Sequence, residues 1–123
     1  MPRMFLNGTA MIGGADHHLV GDADLIAAIA TAPKYRFWSV EDRYPALELV
    51  GDGGAAVLGE MYDMTYEQLR DVLLPAEPAG LELGVVELAD GSASLAMVLR
   101  QPAPEVTLTD ITEIASWRAY RDC

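Results

Sequence analysis

Apolar and polar positions alternate with a period of two along much of the chain. Tyr35–Val40 (YRFWSV) and Pro45–Val50 (PALELV) alternate cleanly, the first with aromatic and β-branched residues that favour a pleated surface. Arg3–Leu6 is a short apolar strand that ends at Asn7-Gly8. Ala56–Asp63 (AVLGEMYD) reads as a further strand with Gly59 as its bulge. Leu83–Leu88 and Ser94–Leu99 flank Ala89-Asp90-Gly91-Ser92, where Asp-Gly signals a hairpin turn. Asp24–Thr31 (DLIAAIAT) fits two elements: its alanines and Asp24 suit a capped helix, while its length and the following Ala32-Pro33 suit a strand.

The period changes once. Thr65–Leu74 (TYEQLRDVLL) opens on a Thr cap, carries Glu67 in its first turn and places Leu69, Val72 and Leu73 on one face, so it predicts a helix. Pro75 and Pro78 end it. A Pro-rich linker from Pro102 leads to a second predicted helix, Asp110–Tyr120. Six or seven short strands separated by Gly turns, with helices at two points only, predict an α+β chain built on a small mixed β-barrel with flanking helices. No repeat divides the 123 residues, which form one domain, with 101–123 as linker and terminal helix.

Composition narrows the function classes. Apolar residues make up 51 % of the chain, enough for a core and too many for disorder. The net charge is −11, and Lys34 is the only lysine, so neither nucleic acid nor an anionic membrane surface is an expected partner. Cys123 is the single cysteine, so no internal disulfide forms and the thiol reads as incidental. The N-terminal apolar stretch is broken at Asn7-Gly8 and is too brief for a signal-peptide core, so the expected location is the cytoplasm.

Three places offer chemistry. A strand that breaks at Asn7-Gly8-Thr9-Ala10-Met11 leaves main-chain N–H groups without ladder partners, a cluster able to hold a carboxylate or a developing oxyanion; a plain tight turn has the same pattern. Glu77 lies between Pro75 and Pro78 on a stiff apolar loop. Facing a cavity, such a carboxyl would rise in pKa and serve as a general acid/base; facing water, it is one acid among many. Asp16-His17-His18 invites a metal, but adjacent loop residues point apart and no other His or Cys cluster completes a site, so neither metal nor cofactor is called for. One of the two histidines fits better as a proton donor lining a pocket. Arg118 reads as a surface ion pair, with contact to a substrate carboxylate as the alternative.

These segments resemble a known group. Phe5-Leu6-Asn7-Gly8-Thr9-Ala10-Met11, followed by Gly13-Gly14 and His17-His18-Leu19, resembles the opening of γ-glutamylcyclotransferase-like domains, where a first strand enters a Tyr-Gly-Ser/Thr-Leu loop. Thr31–Phe37, Tyr44–Leu47, Val57–Asp63 and the helix before Glu77 resemble later parts of the same group. Glu77-Pro78 and Leu83–Gly91 are similar to the end of the allophanate hydrolase C-terminal domain. Including Asp110-Ile111-Thr112 and Trp117–Tyr120, the chain looks most like stand-alone allophanate hydrolase-related proteins over residues 3–121.

The resemblance implies a pocket at one mouth of the barrel. It implies that Gly8, Thr9, Ala10 and Met11 supply N–H groups to a substrate carboxylate, with Asn7 beside them, and that Glu77 is the general acid/base. It implies that His17 or His18 assists, as a histidine does in the allophanate hydrolase domain during decarboxylation of a carboxycarbamate. Two positions depart from the group: Asn7 stands where a Tyr is usual, and Leu74 where an Asp is usual. The expected partner is therefore a small molecule bearing a carboxylate or carbamate. The alternative is a silent module that assembles with an amidase. The last helix is expected either to close the pocket or to pack on a second copy of the chain, as in a homodimer.

Overall fold

The computed structural model describes residues 1–102 and 105–122. Cys123 and part of the Pro-rich linker, Ala103 and Pro104, lie outside the described residues. The strands are β1 (Arg3–Leu6), β2 (Asp24–Ala30), β3 (Tyr35–Val40), β4 (Tyr44–Leu49), β5 (Leu58–Asp63), β6 (Leu81–Glu87), β7 (Ala93–Leu99) and β8 (Leu108–Asp110). They form a five-stranded sheet in the order β2-β5-β1-β7-β6 and a three-stranded sheet in the order β4-β3-β8. The architecture is α+β, with mixed pairing: β1 runs antiparallel to β5 and parallel to β7.

The expected barrel is not closed. The edge strands β2 and β6 of the large sheet meet only through an isolated bridge, Thr31 to Leu88, and β3 of the small sheet reaches the segment before β5 through another, Tyr35 to Ala55. Along β2, Leu25 and Ile26 stay exposed, and the register with β5 slips between Leu25 and Ala27. The bulge therefore falls on β2 and not at Gly59. Gly59 instead permits close strand contact. A Cβ there would sit 2.4 Å from both the Leu6 carbonyl oxygen and the Phe5 ring, so only glycine admits this approach of β5 to β1.

One buried cluster joins the sheets, with Met4, Phe5 and Met61 from the large sheet against Phe37 and Leu47 from the small one. Alternation on β3 explains this: Tyr35, Phe37 and Ser39 turn inward while Arg36 and Trp38 stay half-buried. Asp24–Thr31, which fitted either element, forms β2, because β5 offers it a ladder that an isolated eight-residue helix would lack.

The central helix is capped by Thr65, whose Oγ1 accepts from Gln68 N at 3.1 Å. It comprises α1 (Tyr66–Gln68), a wider π turn (Leu69–Leu73) and a closing 3-10 turn (Leu74–Ala76). It thus runs past the expected Leu74. Pro78 disfavours helical dihedrals at the residue before it, and Glu77 is accordingly extended at φ −71°, ψ 144°. The helix expected over Asp110–Tyr120 is a correction: Asp110 ends β8, and only Trp117–Arg121 is helical, as α2. Asp110 accepts from its own neighbour Thr112, at N (2.9 Å) and Oγ1 (2.6 Å), which favours a local turn over a helix. Ala115, at φ 56°, breaks the path again before Ser116 caps α2.

Candidate functional site

The 3-10 turn delivers Glu77 to the wall of a cavity of about 150 Å³. Across it lies the loop that follows β1, with Asn7, Gly8, Thr9 and Ala10 in the wall; Phe5, Leu19, Leu81 and Met97 supply apolar surface. Burial in this setting pushes the Glu77 carboxyl up to about 7, and the nearby Asp16 carboxylate adds to the rise. Glu77 is therefore poised to hold or release a proton at neutral pH.

The loop is built to stay open at the cavity. Its internal bonds run Met11 N to Gly8 O, Gly14 N to Met11 O and Asp16 N to Thr9 O, at 2.9–3.1 Å. Thr9 Oγ1 donates to Asp16 at 2.7 Å, which fixes the second carboxylate of the cavity. Gly14 allows the fold-back, since a Cβ there would lie 2.0 Å from the Thr9 carbonyl oxygen. Among the described residues, none accepts from the backbone N–H of Gly8, Thr9 or Ala10. These donors belong to the residues that line the cavity.

Of the sequence-predicted site residues, the structure brings together Glu77, Asn7, Gly8, Thr9 and Ala10. Met11 is turned into the core. Neither histidine lines this cavity. His17 donates its Nδ1–H to the Ala10 carbonyl at 2.9 Å and lies near the Tyr62 ring, so it braces the loop from behind. His18 is exposed in the 3-10 turn His17–Val20. Among the described residues, no three His, Cys, Asp or Glu side chains are placed to hold a metal ion.

A second polar centre escaped the sequence reading. Glu60, on β5, is only 5 % exposed. It accepts from Ile12 N (2.9 Å), Tyr62 Oη (2.9 Å) and Arg118 Nη2 (2.8 Å). Burial alone would raise this carboxyl, but Arg118 and the two other donors together hold it below its ordinary value. Arg118 also donates to the Ile12 carbonyl at 2.6 Å, so α2 is tied to the back of the Gly loop. The expected surface ion pair of Arg118 thus has an almost fully buried partner. The only sequence signal was a charged residue at an inward position of an apolar strand.

The same architecture occurs in known proteins. Residues 2–122 match the family described as allophanate hydrolase C-terminal domain. The chain belongs to that family. A uropathogenic E. coli-specific protein of solved structure is 32 % identical to this member, with 98 % of this chain and 95 % of that one covered and a TM-score of 0.90. Kluyveromyces lactis allophanate hydrolase is 21 % identical, with 98 % of this chain matched to 21 % of that one and a TM-score of 0.89. An AIG2-like protein from mouse is 21 % identical over 85 % of this chain and 81 % of that one, with a TM-score of 0.67, which shows a shared γ-glutamylcyclotransferase-like fold. A comparison with curated proteins gives no match. No helix among the described residues is long and apolar enough to cross a membrane.

Proposed function

We propose that this allophanate hydrolase C-terminal domain family member is an enzyme acting on a small amide that bears a carboxylate or carbamate. Glu77 is its general acid/base, and the N–H groups of Gly8, Thr9 and Ala10 are its anion cradle. The observation that carries the reading is the placement of Glu77, at a pKa of about 7, across a partly open cavity from unpartnered main-chain donors. A cavity of about 150 Å³ suits a group of benzene's size, and the wider space beyond Gly8, Thr9 and Arg43 leaves room for the rest of a substrate.

Chemically, the carboxylate form of Glu77 takes a proton from the attacking nucleophile, and the carboxylic acid so formed returns it to the leaving nitrogen. The loop donors oppose the negative charge of the bound anion or of the developing oxyanion. His17 holds the Ala10 carbonyl and keeps the loop in shape, so the proton work falls to Glu77 alone. Glu77→Gln keeps size and shape but removes the titrating group. Turnover of γ-glutamyl amines, allophanate and related carbamates, screened with the wild-type chain, should vanish in this variant while its circular dichroism is retained. Wild-type turnover by Glu77→Gln would refute the role.

A second reading is favoured by the K. lactis relative, in which the matched region is 21 % of a larger allophanate hydrolase, and by the departures at Asn7 and Leu74. Here the chain is a binding module for an amidase. Co-purification with an amidase, without turnover of any of the compounds above, would support it.

A further inference from the structure

We propose that Arg43 makes the cavity selective for an anionic amide, by setting a full positive charge beside the N–H groups of Gly8 and Thr9. This role rests on the cavity being the substrate site, and it supplies what admits an anion into an acidic hollow. The cavity wall carries the carboxyl groups of Asp16 and Glu77, in a chain of net charge −11. A substrate carboxylate is repelled by Asp16, and by Glu77 whenever that group is ionised, and backbone dipoles carry only partial charge. Among the described residues, Arg43 is the one basic residue in that wall.

Arg43 is also uncommitted. Arg3, Lys34, Arg36, Arg70, Arg100 and Arg118 each have a carboxylate partner. Arg121 donates to the Asp42 carbonyl at 2.7 Å and stacks over Trp117. Of the eight basic side chains, all among the described residues, Arg43 alone has no such contact.

The backbone that carries its exposed side chain is nevertheless held firmly. Glu41 and Asp42, in the β3–β4 turn, both adopt left-handed dihedrals at φ 52° and 57°, a costly state for two successive residues with a Cβ. Several contacts maintain it. Arg43 N donates to Val40 O and Glu41 N to Thr107 O, both at 2.9 Å. The Asp42 carboxylate accepts from Ser39 Oγ at 3.2 Å and from the Tyr120 hydroxyl of α2. Two residues on, Pro45 packs against Gly8 so closely that a Cβ on Gly8 would lie 2.7 Å from the proline ring. Arg43 thereby stands where the cavity meets a wider groove of about 620 Å³, and the two spaces share Gly8, Thr9 and Arg43. α2 acts through Tyr120 and Arg121 to position the turn.

The test is calorimetric titration with charged and neutral partners of one shape: succinamate against succinamide, and glutaramate against glutaramide. Wild type should bind each carboxylate at least about tenfold tighter than its neutral diamide. Arg43→Gln should erase that difference without weakening the diamides, and Arg43→Lys should keep most of it. Equal binding of charged and neutral partners by wild type, or a preference that survives in Arg43→Gln, overturns the role of Arg43 and leaves the cavity reading intact. Binding of none of the four compounds overturns both.

Discussion

Replacing Glu77 with Gln should make the protein more stable at alkaline pH and leave it unchanged at acid pH. The carboxyl titrates at about 7 in the folded chain against an ordinary 4.5, because burial and Asp16 disfavour its charged form. The folded state therefore binds the proton more tightly than the unfolded chain does, and stability falls as pH rises between those two values. Once the group is ionised, the cost to the fold is about 3 kcal/mol. Gln resembles the protonated acid and carries no such cost. Urea unfolding of both proteins from about pH 4 to about pH 9 should give similar stabilities near the ordinary carboxyl value and a gap that opens up to about pH 7, then stays level. At alkaline pH the gap of about 3 kcal/mol corresponds to roughly 10 °C in melting temperature for a chain of this size. Carboxylates remote from Glu77 are common to both proteins and cancel in the difference, and the repulsion between Asp16 and ionised Glu77 is part of the cost being read. Parallel stability curves across the whole range would show that Glu77 is solvated, and the acid/base assignment would fall with the shift.

Two further substitutions probe what holds the site. Arg118→Ala leaves the Glu60 carboxylate buried with only Ile12 N and Tyr62 Oη as donors, so stability should drop by about 1–2 kcal/mol in urea unfolding, and amide exchange at Ile12 and Gly14 should quicken. Gly59→Ala drives a methyl group to 2.4 Å from the Phe5 ring and the Leu6 carbonyl oxygen, which should cost about 1–3 kcal/mol by thermal unfolding; a neutral result would mean that β5 can retreat from β1.

Much of this architecture is written locally. Strands β3, β4, β6 and β7 were legible because alternation and turn chemistry act over a few residues, as at Asp90-Gly91, where Asp90 accepts from Ser92 N at 2.9 Å. The capped helix and its stop before Pro78 were legible for the same reason, since Thr65 and Pro78 act on their immediate neighbours. What stayed hidden depends on partners remote in sequence. Closure of the barrel is decided by whether β2 and β6 pair along their length, and nothing within DLIAAIAT states that. The tail misled because Asp110 and Thr112 bond each other, a competition with helix that a helical pattern conceals. At the site, Glu77 and the Gly loop carried their own signals. Glu60 and Arg118 did not, because the meaning of each lies 58 residues away. Arg43 was silent as well: its role comes from what fails to face it.

The placement of β1 at the middle of the large sheet also bears on how the protein is made. Its neighbour on one side is β7, and Ser94 Oγ donates to the Arg3 carbonyl across 91 residues of chain. β1 leaves the ribosome well before β7, yet it waits for that later hairpin before its ladder is complete. Pairings of such long span are slow to form, because the intervening chain must be ordered before they are rewarded. The Gly loop hangs from that strand, so ligand-binding competence should be among the last properties a nascent chain acquires, and fragments lacking β7 should be blind to substrate.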